Sequence, residues 1–112
     1  MNYLLNTKIL GFCPWCGAPI IKAKTRDGRT LYEHEEKKTD CSFVLFQNAY
    51  VFGNPVRFTD AQVETLLRGE SIALRLVTKA GKPFDAWVSL DPKPRTFRGK
   101  QYPRYKFNGY VR

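Results

Sequence analysis

The chain of 112 residues has a single histidine, His34, and only three cysteines, Cys13, Cys16 and Cys41. Three cysteines cannot pair completely, and Met1-Asn2-Tyr3-Leu4-Leu5 lacks the basic region and long apolar core of a secretion signal. A disulfide scaffold of the secreted kind is therefore not expected. No apolar run approaches the ~20 residues needed to span a bilayer; the longest are Phe43-Val44-Leu45-Phe46 and Ala49-Tyr50-Val51-Phe52. A soluble, cytoplasmic protein is the expectation. With one histidine there is also no room for a ββ-metal nuclease, which needs a histidine base besides any ligand histidine. Acidic residues are scarce too, 10 against 19 lysines and arginines, for a net charge of +9.

What the chain does have is Cys13-Pro14-Trp15-Cys16-Gly17, two thiols on a tight Pro/Gly turn. Adding the remaining soft ligands gives C-x2-C-x17-H-x6-C, with nothing left over. Two close pairs separated by a long loop match the spacing of a closed, structural Cys3His zinc ribbon, with Cys13, Cys16, His34 and Cys41 as ligands and Zn2+ as the cofactor. A redox dithiol would sit at a helix start in a βαβ pattern, whereas Pro14 and Gly17 flank a turn between short apolar stretches. The competing reading of His34 is a surface residue in the run Glu33-His34-Glu35-Glu36-Lys37-Lys38, with Cys41 a small buried hydrophobe. A segment near 50 residues buries too little surface to be comfortably stable alone. Metal binding worth roughly 10–16 kcal/mol would supply what that core lacks.

Zinc loading lowers the net charge by only one, because three thiolates outweigh one divalent ion. A basic surface of this strength favours polyanions, and counterion release makes nucleic acid the default partner. The plainer reading is a solvated charged face that maintains solubility.

The fold class expected is α+β: a zinc ribbon made of a β-hairpin plus a strand, then a small antiparallel sheet with one short helix. Residues 9–48 form the ribbon, with strands at Ala18–Thr25 and Arg29–His34, a turn at Asp27-Gly28, and a third strand from Ser42 to Gln47. Residues 49–112 form the second unit. Ala49–Asn54 is an extended aromatic connection broken by Gly53-Asn54-Pro55. Thr59-Asp60-Ala61-Gln62 has the capping-box form, Val63, Leu66 and Leu67 make an apolar stripe, and Gly69 is a C-terminal stop, which predicts a helix over 60–68. Ile72, Leu74 and Leu76 alternate as a strand, Lys79–Lys82 turns, and Phe84, Ala86, Val88 and Leu90 line one face of the return strand opposite Asp85, Trp87 and Ser89. A last strand runs near Arg104–Val111.

The order of these features resembles the zinc-containing C-terminal repeats of bacterial type IA topoisomerases, of the topoisomerase III type. The resemblance covers about residues 12–91. It rests on the C-P-x-C-G knuckle, on Cys41-Ser42-Phe43, on the capped helix Phe58–Gly69, and most specifically on Lys79-Ala80-Gly81-Lys82-Pro83-Phe84-Asp85-Ala86-Trp87. His34 stands where that family usually presents a third cysteine, and imidazole is a sound replacement ligand. The catalytic parts of a topoisomerase are not in this sequence, so the resemblance implies only the tail's role: binding single-stranded DNA and sometimes protein partners.

A reading from the residues themselves reaches the same role. From Lys93 to Arg112, the cations Lys93, Arg95, Arg98, Lys100, Arg104, Lys106 and Arg112 interleave with Phe97, Tyr102, Tyr105, Phe107 and Tyr110. Cations track a phosphate backbone while aromatic faces stack on unpaired bases, with little sequence preference. Tyr105, Phe107 and Tyr102 are alternatively inward-facing core residues of the last strand. Arg75, Lys79 and Lys82 cluster near the 78–83 turn, and Trp87 is either an exposed stacking surface or part of a second packed face. Trp15 either packs the metal site or stacks on a base, packing being favoured. The acidic residues Glu33, Glu35 and Glu36 place the binding face on the second half.

The resulting expectation is a non-catalytic zinc protein that binds single-stranded nucleic acid, DNA before RNA, and no membrane. A catalytic metal flanked by Glu33, Glu35 or Asp40 fits poorly, because four protein ligands leave no open position. The rival is a protein-docking regulator or accessory subunit of a larger nucleoprotein machine encoded by a mobile element, for example an anti-CRISPR.

Overall fold

In a computed structural model describing residues 3–35, 41–93 and 95–111, the first hairpin closes where the sequence predicts. Strand β2 (Pro19–Lys24) runs antiparallel to β3 (Thr30–His34) in the register Ile20 to His34 and Lys22 to Tyr32. At the turn Thr25 N donates to Arg29 O, and Gly28 takes φ +88°, a backbone conformation that glycine adopts without steric cost. A long strand that sequence patterning did not anticipate, β1 (Tyr3–Phe12), pairs with the outer side of β2.

The third strand is shorter than expected. Only Leu45–Phe46 pair as β4, against Tyr32 and Leu31, rather than all of 42–47. Residues 41–44 leave the ladder to send Phe43 into the core and to carry Cys41 back toward Cys13. The sheet order is therefore β1-β2-β3-β4.

The aromatic connection is itself a hairpin. β5 (Asn48–Val51) pairs with β6 (Asn54–Arg57), closed by Phe52-Gly53. Helix α1 (Asp60–Leu67) follows, with the predicted capping box formed on both sides: Gln62 N donates to Thr59 Oγ1 at 3.1 Å, and Thr59 N donates to Gln62 Oε1 at 3.0 Å. Its apolar stripe, Val63, Leu66 and Leu67, is buried.

Strands β7 (Ile72–Val77) and β8 (Pro83–Leu90) form the expected second hairpin, with Ile72, Leu74, Leu76, Ala86, Val88 and Leu90 buried on the face toward the helix. The chain then makes a small hairpin the sequence did not reveal, β9 (Arg95–Phe97) with β10 (Lys100–Tyr102), before β11 (Tyr105–Tyr110) adds to the other side of β8. One continuous buried cluster joins Leu10, Ile20, Tyr32 and Phe43 to Phe58, Val63, Leu66, Leu74 and Val88. Residues of both stretches thus share a core. Arg112 and Asp40 lie outside the described residues.

Candidate metal centre and basic aromatic surface

The four candidate ligands come from three separate elements and converge. Cys13 and Cys16 lie on the turn after β1, where Gly17 N donates to Cys13 O at 2.8 Å and Trp15 N donates to Cys13 Sγ at 3.4 Å. His34 ends β3, and Cys41 lies before β4. All four ligand atoms fall within 4.8 Å of one another. Cys13 Sγ is 3.7 Å from Cys41 Sγ, and Cys16 Sγ is 3.3 Å from His34 Nε2.

These separations meet the demands of a metal. A tetrahedral zinc with Zn–S near 2.3 Å and Zn–N near 2.0 Å requires ligand pairs about 3.5–3.8 Å apart; the Cys13–Cys41 and Cys16–His34 pairs lie within a few tenths of that, and no pair in the group exceeds 4.8 Å. The Cys3His group can hold a metal ion, and its donor set is compatible with zinc. His34 is buried and its pKa is held below the ordinary imidazole value, mainly by desolvation, so the ring is neutral and Nε2 can donate a lone pair. Burial pushes the Cys13 thiol up to about 12 in the metal-free chain, so a bound cation must displace its proton. Trp15 is half-buried and sits edge-to-face on Phe43 at 5.1 Å, so it packs beside the centre.

The residues expected to contact nucleic acid separate into groups. On the β7–β8 hairpin, Lys79 and Lys82 are exposed on a turn fixed by Thr78, whose Oγ1 accepts from Lys82 N at 3.1 Å. Arg75 is committed to a two-pronged pair with Asp85, Nε to Oδ1 at 3.0 Å and Nη2 to Oδ2 at 3.4 Å. This pair holds the Asp85 carboxyl below its usual range. Trp87, 40% exposed, lies on the same outward face as Arg75 and Asp85, which settles its two readings in favour of exposure.

Beyond β8, Arg98 occupies the β9–β10 turn, and Lys100 is placed by its backbone in β10. Tyr102 borders a shallow depression with Ser42, Val44, Thr96, Gly99 and Gln101. Arg95 and Arg104 border a different cleft of about 760 Å3, together with Tyr50, Phe52, Gly53, Pro103 and Tyr105. Arg104 reaches Asp91 only at 4.0 Å. Of the three tail aromatics alternatively read as core residues, Tyr105 is half-buried, with its ring 5.8 Å from Phe58, and Tyr102 is exposed. Phe107 is 44% exposed instead: its register with Val88 points it to the inner face, but β11 is the sheet edge and the core ends there. It packs edge-to-face on Tyr110, which packs in turn on Phe84.

Tyr50 and Phe52, which the sequence does not mark as candidates, also line the cleft of Arg95 and Arg104. Both central residues of the β5–β6 turn have positive φ, Phe52 at +49° and Gly53 at +82°, the mark of a type I′ turn. The same geometry recurs at Arg98 (+51°) and Gly99 (+77°). The available signal was an X-Gly dipeptide between two short runs, twice, and it is weak because the first position normally prefers asparagine, aspartate or glycine. No family model, no curated protein and no solved structure matches this chain.

Proposed function

We propose that the chain is a non-catalytic module that binds single-stranded nucleic acid, with DNA favoured over RNA, and that its N-terminal strands form a ribbon closed by structural zinc. The observation carrying this reading is that the second half exposes both cations and aromatic rings: Lys79, Lys82, Arg95 and Arg104, and Trp87 and Tyr102. Phosphates need the first group and unpaired bases the second. Four protein ligands around one centre leave a bound metal no open position for a substrate, which favours a structural metal over a catalytic one. The motif likeness to topoisomerase tails points to the same role.

A second reading rests on Phe84, Phe107 and Tyr110, three aromatics joined edge-to-face across β8 and the edge strand β11. They suit an apolar protein contact and so an accessory subunit. Fluorescence anisotropy of the zinc-loaded chain with labelled single-stranded DNA, duplex DNA and RNA across a salt series separates the two. Salt-sensitive binding that prefers a single strand supports the module. No binding at low salt refutes it and leaves the docking role.

A further inference from the structure

The cleft between the β5–β6 hairpin and the start of β11 combines three features. Its rim carries two aromatic rings open to solvent, Tyr50 at 75% and Phe52 at 50% exposure. Arg95 and Arg104 also line it, and both are exposed. Its lining includes Tyr105, held in place by the core residue Phe58, and contains no carboxylate.

Phe52 is the informative residue. A phenylalanine at φ +49° occupies the left-handed region that bulky side chains avoid, in a turn position where glycine or asparagine fits without strain. The turn is locked from behind: Asn54 Nδ2 donates to Val51 O and Phe52 O at 3.4 and 3.3 Å, while Asn54 Oδ1 accepts from Val77 N at 3.0 Å. The ring lies outside the core, so burial offers no compensation for the backbone strain. Strained residues persist where the surroundings impose them, and they concentrate at ligand-binding positions.

From this geometry we infer that the cleft is a binding site for an unpaired nucleotide unit: a base stacks on Tyr50 and Phe52, and its phosphate lies between Arg95 and Arg104. The volume of about 760 Å3 falls inside the roughly 300–1,000 Å3 range of small-ligand sites. The loose ion pair of Arg104 with Asp91, at 4.0 Å, is one a phosphate can displace. This inference rests on the proposed nucleic-acid reading and gives it a location that includes a hairpin of the chain's middle, whose turn Asn54 ties to Val77 at the end of β7.

The test uses the full zinc-loaded chain and a labelled oligothymidylate. Phe52→Gly removes the ring and the backbone strain together, so its thermal midpoint should match or exceed that of the parent. Its affinity should nonetheless fall about 5- to 160-fold, the range for losing one base stack of about 1–3 kcal/mol. Tyr50→Ala should cost a similar factor, and Arg95→Ala/Arg104→Ala should flatten the salt dependence. Unchanged affinity in both aromatic variants, with the parent still binding, would overturn the cleft while leaving nucleic-acid binding intact. A parent that binds no oligonucleotide at low salt would overturn both. Competition by thymidine monophosphate distinguishes the source: displacement as strong as by the unlabelled strand assigns the cleft to free nucleotides, and much weaker displacement assigns it to a strand.

Discussion

Tyr32 on β3 donates a 2.9 Å hydrogen bond from its phenolic hydroxyl to Oδ1 of Asp60, the first residue of α1, across 28 positions of sequence. Lys22 Nζ lies 3.2 Å from the same oxygen. The carboxylate also complements the helix N-terminus, where negative charge is favoured. Through this contact the sheet that carries His34 is tied to the helix that organises the second half. Tyr32→Phe should cost about 1.5–3 kcal/mol, the range for a hydrogen bond to a charged group, measured by urea unfolding of the metal-loaded protein.

The same contact predicts an alkaline limb. Tyr32 is held above its ordinary value of 10.0, first by burial and then by the hydrogen bond and charge of Asp60. A group whose folded pKa is raised contributes stability that is complete below the unfolded value and disappears as pH rises beyond it. Stability should therefore fall above about pH 10, and Tyr32→Phe should lack this component of the fall.

Chelation should unfold the metal-side strands, because the metal-free centre leaves three cysteines and a histidine from separate elements with no shared ligand. Cys16→Ser should lose metal and cooperative melting together. His34→Cys should retain both, since a fourth thiolate can occupy the imidazole's position in a tetrahedral site. Metal content by elemental analysis and far-UV circular dichroism provide the readouts. Full metal content in Cys16→Ser would remove that residue from the centre.

Metal affinity should rise with pH. Cys13 keeps its proton to about pH 12 in the metal-free protein, so near neutrality every bound ion must displace at least that one. Affinity should increase by about tenfold or more per pH unit between about pH 6 and 8, as measured by competition with a chromogenic chelator.

Gly11→Ala should destabilise. A Cβ at this position would sit 2.9 Å from Leu67 Cβ, where β1 crosses the helix. One of the two backbones must shift, and overpacking of this kind costs typically about 1–3 kcal/mol.

Lys79→Ala/Lys82→Ala should weaken binding of single-stranded DNA and flatten its salt slope, whereas Arg75→Ala should change the slope less. Both lysines are exposed on the turn, while the Arg75 guanidinium already has Asp85 as its partner. An unchanged slope in the double variant would take the β7–β8 turn out of the binding face.

The sequence by itself determined the local features. Spacing named the four candidate metal ligands, because the chain has no other cysteine or histidine. Thr59 and Gln62 announced the helix start, and strict alternation in Ile72–Val77 announced a strand, since both signals act within one turn or one pleat. Tertiary structure decided the rest. β1 is a strand because β2 offers it a pairing edge. β4 is short because Phe43 turns into the core and Cys41 lies against Cys13. Phe107 is exposed because β11 lies at an edge, which no period-two pattern encodes. The cleft that gathers Tyr50, Phe52, Arg95 and Arg104 joins positions more than forty residues apart. Such a site exists only once the hairpins have docked, because burial and edge position are properties of the packed chain rather than of any segment.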